Sequence, residues 1–201
     1  MAEPVITPAT ARGEQTRQRL LDAAECEFGE KGFHNASITS ITQRAGVAQG
    51  TFYIYFRSKE EILRALVRQM GTTLRRNLTA LTEGLPDRVA VEKAAFRHFV
   101  SLAVEHSNLY RILLECQFID PELYQEHYQR LISGYVPRLI KAQQAGEIRE
   151  GNPEALAWLL MGINYFFGQR YAAWEHRMPP EEVIDTVQAF LEQGLRPAPR
   201  T

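Results

Sequence analysis

A short segment between residues 48 and 56 concentrates side chains that hydrogen-bond to nucleic-acid groups. The amide of Gln49 can pair bidentately with adenine, and Thr51 offers a hydroxyl and a methyl group to base edges. Gly50 lets the backbone come close to a phosphate, and the hydroxyls of Tyr53 and Tyr55 can bond phosphate oxygens. These residue types favour a helix that reads a groove of a duplex.

The neighbouring residues predict the elements that would position this helix. Ser37 can cap a short helix, and residues 45–47 (Ala-Gly-Val) break it because glycine tolerates a left-handed turn. A second helix follows over 48–56, with Phe52 and Phe56 on its inward face at a spacing of four residues. Core packing of all its aromatic residues is the alternative, but the two tyrosines lie off that face. The pattern therefore predicts a helix-turn-helix.

The distribution of charge along the chain supports the same interpretation. The formal net charge is only −1, but residues 31–59 hold four Lys/Arg and no acid. Residues 1–30 hold three Lys/Arg against six acids, and residues 60–201 hold 16 against 18. A chance gap between charged helix faces would look the same. Because the gap coincides with the helix-turn-helix, a local surface for a polyanion is the sharper hypothesis.

Length and composition exclude several other classes of protein. The chain has 201 residues, 45% of them apolar, which is enough for one domain or two small ones. Cys26 and Cys116 have no metal-type spacing and are typical of reduced cytosolic thiols. The N-terminus lacks the apolar stretch of a signal peptide, and the run over 155–168 is shorter than the ~20 residues that span a bilayer. We expect a cytoplasmic protein with no membrane segment, metal site or cofactor.

The hydrophobic periodicity and the capping signals predict an all-α fold of about nine helices. The stripe Leu20, Leu21, Ala24 and Phe28 marks a first helix that stops near Gly32. Later helix starts are marked by capping residues or by proline at the first helical position, at Ser58, Asp87, Asp120-Pro121, Asn152-Pro153 and Pro179-Pro180. The eighth helix is expected to run from Pro153 to about Trp174.

The segment from Thr16 to Arg68 resembles the DNA-binding domain of the tetracycline-repressor (TetR) family. The matching landmarks are Leu21-Asp22-Ala23-Ala24, Phe28, Gly32-Phe33, Ile41, Arg44-Ala45-Gly46-Val47, Gly50-Thr51-Phe52-Tyr53, Phe56 and Lys59-Glu60. The resemblance implies a bacterial transcription regulator, usually a homodimeric repressor that binds a palindromic operator through the major groove. It also implies a variable ligand domain behind the helix-turn-helix. The expected divisions are a flexible tail (1–13), a DNA-binding domain (14–58), a ligand-binding and dimerisation domain (59–196) and a C-terminal tail (197–201).

The resemblance also assigns the residues that would contact DNA. They are Ser37, Thr39, Gln49, Gly50, Thr51, Tyr53, Tyr55 and Lys59, with Arg44 and Arg17 as further phosphate contacts. Two departures matter. Ala48 stands where the family often has a capping Ser or Thr, and Gln49 stands where it often has Lys, which shifts weight from charge to base recognition.

Aromatic residues crowd the later helices and predict a pocket for a small apolar or aromatic effector. The expected lining residues are Phe96, Phe99, Tyr110, Phe118 and Tyr165. Polar anchors for the effector are sought among His98, His106, Arg111, Gln117 and Asn164. In the family the last two helices form a four-helix bundle across a two-fold axis, which here would bury their apolar surface.

Three other functions compete with this hypothesis. An enzyme is disfavoured because no catalytic or nucleotide-binding motif is found. A ligand-independent regulator or activator would use the rear domain only for dimerisation. A cysteine redox sensor is disfavoured because Cys26 lies between Glu25 and Glu27, which oppose a thiolate, and Cys116 has no resolving partner nearby in sequence.

Overall fold

The computed structural model describes residues 10–197, and within them it contains helices and no strand. The helices are α1 (Ala11–Asn35), α2 (Ile38–Ala45), α3 (Gln49–Tyr55), α4 (Lys59–Thr82), α5 (Arg88–Glu105), α6 (Ser107–Ile119), α7 (Pro121–Gln144), α8 (Pro153–Gly168) and α9 (Glu181–Leu195). The predicted all-α fold is confirmed. In the part of the chain described, no helix combines the length and apolar character that crossing a membrane requires.

The turns at the N-terminal end of the chain follow the predicted glycines and caps. Gly32 interrupts α1 with a φ of 75°, and Gly46 ends α2 with a φ of 64°, both in the left-handed region that glycine tolerates. Ser37 caps α2 through a reciprocal pair of hydrogen bonds with Ser40. Ala48 precedes α3 and provides no side-chain cap, because a methyl group cannot accept a hydrogen bond.

The first helix begins earlier than the expected domain boundary. Thr10 caps α1 by accepting a hydrogen bond from the backbone N–H of Gly13 at 3.1 Å, so residues 11–13 are helical and not a flexible tail. The rest of that expected tail, residues 1–9, lies outside the described residues. So do residues 198–201 of the expected C-terminal tail.

The core of the N-terminal helices extends into α6. Phe28, Ile41 and Phe52 are buried together with Ile112 and Leu113 of α6. Helix α6 therefore packs directly on α1. This contact joins the region that resembles a DNA-binding domain to the rest of the molecule.

The contact between α1 and α6 depends on a glycine. A Cβ added at Gly29 would lie 2.5 Å from the Cβ of Asn108 and 2.3 Å from its Cγ, closer than side chains approach one another. Nearer the C-terminal end of α1, the backbone N–H of Phe33 donates to a carboxylate oxygen of Glu115 at 3.1 Å. The close approach of the two helices therefore allows no larger residue at Gly29.

A second core lies among α5, α7, α8 and α9. Its most deeply buried side chains include Phe96, Leu139, Tyr171 and Ile184. The expected single helix from Pro153 to Trp174 proves to be two segments, because a π-helical stretch (Gln169–Trp174) follows α8. The wider turn begins directly after Gly168, where the absence of a side chain lets Tyr110 pack against the helix backbone.

Candidate nucleic-acid interface and internal cavity

The uncharged residues predicted to contact DNA lie on α2, on α3 and in the residue that caps α2. Ser37 and Thr39 are exposed at the start of α2, and Gln49 and Gly50 are exposed in the first turn of α3. The ring of Tyr53 is 52% exposed, which leaves its hydroxyl accessible to a ligand.

The other two candidates on α3 are less accessible. Thr51 is half-buried. The ring of Tyr55 is also half-buried and packs against the N-terminal core, so it belongs in part to the packing of this unit. The sequence pattern placed Tyr55 off the helix face that carries Phe52 and Phe56. It could not show that the ring packs against the neighbouring helices.

The basic block at 31–59 is less positive in three dimensions than in sequence. Arg44 Nε lies 2.8 Å from a carboxylate oxygen of Glu27, and its Nη2 lies 2.5 Å from one of Glu30. Lys31 Nζ lies 2.6 Å from the other oxygen of Glu27. Acids from the end of α1 thus neutralise two of the four basic residues, and Arg44 is engaged within the protein where a phosphate contact was expected.

Lys59 also differs from its predicted role. Its ammonium donates to the backbone carbonyls of Phe33, His34 and Ala36, at 2.6, 3.3 and 2.8 Å, and lies 4.4 Å from the centre of the Phe33 ring. Three acceptors occupy its three N–H groups. The side chain therefore joins the first turn of α4 to the end of α1, and the expected phosphate contact is not supported.

Arg17, the other expected phosphate contact, is held by an aromatic ring. Its guanidinium lies 5.4 Å from the centre of the Phe56 ring, within the range of a cation–π interaction. The interaction links α1 to the residue that follows α3 and leaves the guanidinium half-buried.

We expect acid to weaken the contact of α1 with α2 through Glu27. Hydrogen bonds from Lys31 first, then from Ser40 and Arg44, lower the pKa of this buried carboxyl from 4.5 to about 2. Because the folded pKa is below the unfolded one, the stabilisation is fully present above pH 4.5 and is lost as the pH falls toward 2. Urea denaturation should show Glu27→Gln less stable by about 1–3 kcal/mol at pH 7, with the difference shrinking near pH 3. An equal deficit at both pH values would contradict this role.

A cavity of about 340 Å³, open to solvent, lies behind the N-terminal helices. It is lined by α1, α4, α5, α6, α7 and α8, and most of its surface is apolar. Helix α4 contributes lining residues from Leu66 to Thr82, and α5 contributes from Arg88 to the residue after its end, His106. The size and lining are those of a small-molecule site.

Three of the five predicted lining residues reach this cavity, namely Phe99, Tyr110 and Tyr165. The expectations for the other two are corrected by the structure. Phe96 is fully buried in the second core, where its ring centre lies 5.2 Å from that of Phe167. Phe118 is 83% exposed because it lies off the inward stripe of α6.

Some of the residues predicted to anchor the effector through polar groups line the cavity, and the others do not. His106 and Asn164 line the cavity, whereas His98 does not, and Arg111 and Gln117 are exposed away from it. Sequence reasoning missed three polar residues of α1 that line the cavity, Gln18, Asp22 and Glu25. Their spacing of three to four residues along one face of α1 was the available signal.

A buried polar cluster forms part of the cavity wall. Arg88 Nη2 lies 2.5 Å from Glu92 Oε1, and Tyr135 donates a hydrogen bond to the other oxygen of Glu92. The guanidinium also lies 4.9 Å from the centre of the Tyr135 ring. Burial raises the pKa of Glu92, while Arg88 and Tyr135 oppose that rise. Burial likewise lowers the pKa of His127, another lining residue, to about 4, so it is neutral at pH 7.

The surroundings of Cys116 bear on the redox-sensor hypothesis. Cys116 is buried, and burial raises its pKa to about 12, which opposes formation of a reactive thiolate. This geometry disfavours the redox-sensor hypothesis. Among residues 10–197, no three His, Cys, Asp or Glu side chains come together in a way that could hold a metal ion.

Comparison with known sequences connects the N-terminal helices to a family. Residues 20–66 match the family described as "Bacterial regulatory proteins, tetR family". The chain is 32% identical over 144 residues to the fatty acid metabolism regulator protein of Bacillus subtilis, a match that covers 69% of this chain and 74% of that protein. It is 39% identical over 74 residues to the HTH-type transcriptional regulator BetI of Yersinia pestis, covering 35% and 37% of the two chains.

Solved structures share the whole fold. The transcriptional regulator FadR from Bacillus subtilis, solved in complex with stearoyl-CoA, superposes with a TM-score of 0.79 at 21% identity and covers 88% of this chain and 98% of its own. Salmonella enterica GusR superposes with a TM-score of 0.74 at 26% identity, over 90% and 95% of the two chains. The sequence match over most of the B. subtilis regulator, together with the helix-turn-helix on α2 and α3, shows that this chain belongs to the tetR family of bacterial regulatory proteins and is a DNA-binding transcriptional regulator.

Proposed function

We propose that the protein is a homodimeric repressor that binds a near-palindromic operator and is released from it by an elongated apolar effector. In this proposal residues 14–58 bind DNA, and residues 59–196 bind the effector and form the dimer. The binding of chromosomal DNA would place the protein in the cytoplasm. The observation that carries the proposal is the cavity, because the helix that follows the DNA-binding segment also forms one of its walls.

The exposed surfaces of α8 and α9 support the dimer. Leu159, Phe166 and Phe190 are 65%, 64% and 67% exposed, an unusual state for large apolar side chains. A Cβ added at Gly162, between the first two on α8, would meet no described atom within 4 Å outside its chain neighbours and the backbone of its own helix. Pairing of these two helices with those of a second copy would bury this apolar face and place two copies of α3 for adjacent major grooves.

Helix α4 supports the coupling between the two sites. Its first turn is fixed at the DNA-binding end, where Ser58 accepts a hydrogen bond from the N–H of Glu61 at 3.2 Å. Its later residues Leu66, Met70 and Leu74 line the cavity. The 24 residues of α4 extend over ~36 Å. A ligand that displaces the far part of this helix would therefore move its near end and the recognition helix.

The relatives support a fatty-acyl effector. One is named a fatty acid metabolism regulator, and the structure of another contains stearoyl-CoA. The long, mostly apolar cavity of this chain suits an extended alkyl chain. We therefore propose a long-chain fatty acid or its coenzyme A thioester as the effector class.

Calorimetry with palmitoyl-CoA tests the proposal directly. The ligand is titrated into the protein alone and into the protein saturated with a duplex obtained by selection against the full chain. Since coupling of binding is reciprocal, the operator should weaken ligand binding by about 1–3 kcal/mol, and ligand should weaken operator binding equally. Equal ligand affinity in both titrations would favour the alternative, a ligand-independent regulator whose rear domain only dimerises.

Replacing Lys59 by alanine should reduce stability more than it changes electrostatics at the DNA. The change removes charged hydrogen bonds to the carbonyls of Phe33 and Ala36. We expect a loss of about 1–3 kcal/mol in the free energy of unfolding. The slope of operator affinity against salt concentration should stay constant, with Lys141→Ala as an exposed control. A slope reduced by roughly one ion per subunit would instead support the phosphate contact that the sequence predicted for Lys59.

Replacing Gln49 by alanine should relax base preference at one base pair in each half-site. Gln49 is exposed in the first turn of α3, where it can donate to and accept from an adenine edge. The expected loss of discrimination is about 1–3 kcal/mol for a bidentate contact. Selection of operator sequences with wild type and variant measures it. An unchanged preference at every position would exclude base recognition by Gln49.

A further inference from the structure

Four of the charged side chains that line the cavity lie in two groups of opposite sign along its length. Asp22 and Glu25 line it from α1, next to the N-terminal core. Arg75 and Arg138 line it farther from that end. Arg138 bonds to Thr79, 13 residues beyond Leu66 on α4 or ~20 Å along the axis, and Arg75 bonds to Thr72 between these positions, so the two arginines lie beyond the two acids of α1, in what we call the basic half.

Each of the two arginines of the basic half donates a hydrogen bond to a threonine hydroxyl. Arg75 Nη2 donates to the hydroxyl of Thr72, and Arg138 Nη2 donates to that of Thr79, each at 3.2 Å. Within residues 10–197 neither guanidinium has a carboxylate at ion-pair distance. Arg88, the third lining arginine, is already compensated by Glu92. The basic half therefore carries uncompensated positive charge beside an apolar cavity.

The cavity is long as well as apolar. Its wall on α5 runs from Arg88 to His106, which corresponds to ~27 Å of helix. The rest of its lining consists mainly of leucines and aromatic rings, including Leu74, Leu78, Phe99, Leu102 and Leu131. The molecule that matches this pattern is an elongated amphiphile with one anionic end.

We propose that the effector lies lengthwise in the cavity, with an anionic headgroup at Arg75 and Arg138 and its apolar tail directed toward α1. This inference rests on the effector-released function proposed above and adds an orientation to it. The opposite orientation would bring the headgroup next to Asp22 and Glu25, where like charges repel. The headgroup anion is either the carboxylate of a free acid or the phosphates of coenzyme A.

The orientation makes tail length the regulatory variable. At the α1 end the cavity is lined by Leu66, Leu109 and Leu113, and these residues also pack in or against the N-terminal core. A long tail reaches them and displaces the wall that the cavity shares with the N-terminal helices. A short tail stays in the basic half, so it should bind without releasing the operator.

Charge variants test the headgroup end. Arg75→Gln/Arg138→Gln is compared with wild type for binding of palmitoyl-CoA and of palmitate by calorimetry. We expect about tenfold weaker binding for each arginine that contacts the anion, the effect of losing a charged hydrogen bond. Arg130→Gln is the matched control, because this exposed arginine lies on α7 outside the cavity lining and pairs with Glu126. Weakening of palmitoyl-CoA alone identifies phosphate as the anion, and weakening of both ligands identifies a carboxylate-sized anion. Unchanged affinity for both would overturn the proposal.

A photoreactive tail tests the other end independently of any variant. Palmitic acid with a diazirine at its terminal carbons is bound to the protein, and the complex is irradiated. The labelled peptides are then identified by mass spectrometry. Labels in α1 or at Leu66, Leu109 or Leu113 support the orientation, and labels at Leu78 or Leu131 contradict it. Octanoyl-CoA should bind and leave operator affinity unchanged, whereas palmitoyl-CoA should lower it. If palmitoyl-CoA releases the operator but the labels are reversed, the orientation fails and the proposed function stands. If no acyl probe binds, both fail.

Discussion

Phe190→Asp is expected to abolish operator binding without changing any residue of the helix-turn-helix. Phe190 is 67% exposed on α9 and, in the proposed dimer, faces the second copy. A carboxylate there would lose its hydration without gaining a partner, which is strongly unfavourable. The variant should therefore sediment as a monomer. Because a monomer contacts only one half-site, its operator affinity should fall by several orders of magnitude.

Two controls separate loss of the dimer from loss of the fold. Phe118→Asp changes an even more exposed phenylalanine, 83% exposed on α6, and should leave both dimerisation and operator binding intact. Phe190→Leu keeps an apolar side chain and should stay dimeric. Circular dichroism shows whether the Phe190→Asp variant keeps its helices. If that variant is dimeric and still binds the operator, α9 is excluded from the interface.

Gly29→Ala is expected to separate α6 from α1 and to destabilise the protein by about 1–3 kcal/mol, the usual cost of overpacking. The added Cβ would lie 2.5 Å from the Cβ of Asn108, an atom too near the backbone to move alone. Helix α6 must then shift, and Tyr110, two residues later, shifts with it at the cavity wall. Palmitoyl-CoA affinity should fall in the same variant. Urea denaturation and calorimetry measure the two effects.

A second substitution at the same contact makes the result specific. Asn108→Gly removes the atoms that the new methyl group meets, so the Gly29→Ala/Asn108→Gly double variant should recover stability relative to the sum of the single changes. Additive losses would mean that the two residues do not compete for the same space. Full effector affinity in Gly29→Ala would mean that the position of α6 does not influence the cavity.

Local signals in the sequence were sufficient for most helix starts and turns. Asp87, Asp120 and Asn152 each accept a hydrogen bond from an N–H in the first turn of their helix, as capping residues do. Gly32 and Gly46 adopt the positive φ values that only glycine takes readily. These features depend on residues within three or four positions, and that is the range over which a sequence can be interpreted directly.

The partners of charged groups could not be predicted in the same way. Arg44 pairs with Glu27 and Glu30, which belong to another helix 17 and 14 residues earlier. Lys59 binds carbonyls of residues 23 to 26 positions before it. Only the packing of α1 against α2 and α4 brings these groups together, so the acid-free block appeared more positive in sequence than it is in space.

The cavity lining shows the same limit. The aromatic content of α5 to α8 indicated a pocket but did not say which rings face it, and Phe118 lies outside it. Asp22 and Glu25 were missed because α1 was interpreted only as a support for the helix-turn-helix. Whether a helix face meets solvent, core or cavity depends on all its neighbours, and that information is non-local.

The bare backbone at Gly162 has a consequence for the fidelity of assembly. Within residues 10–197, and apart from its chain neighbours and the backbone of its own helix, no atom lies within 4 Å of the position that a Cβ would occupy, and the residue is flanked on the exposed face of α8 by Leu159 and Phe166. In the proposed dimer a glycine there lets the partner's backbone come close. A related regulator with a larger side chain at this position could not approach to the same distance, and its apolar neighbours would be left unpaired. A cell that contains several such regulators could therefore keep each one paired with its own kind by the shape of this contact, and so keep each operator under the control of a single effector.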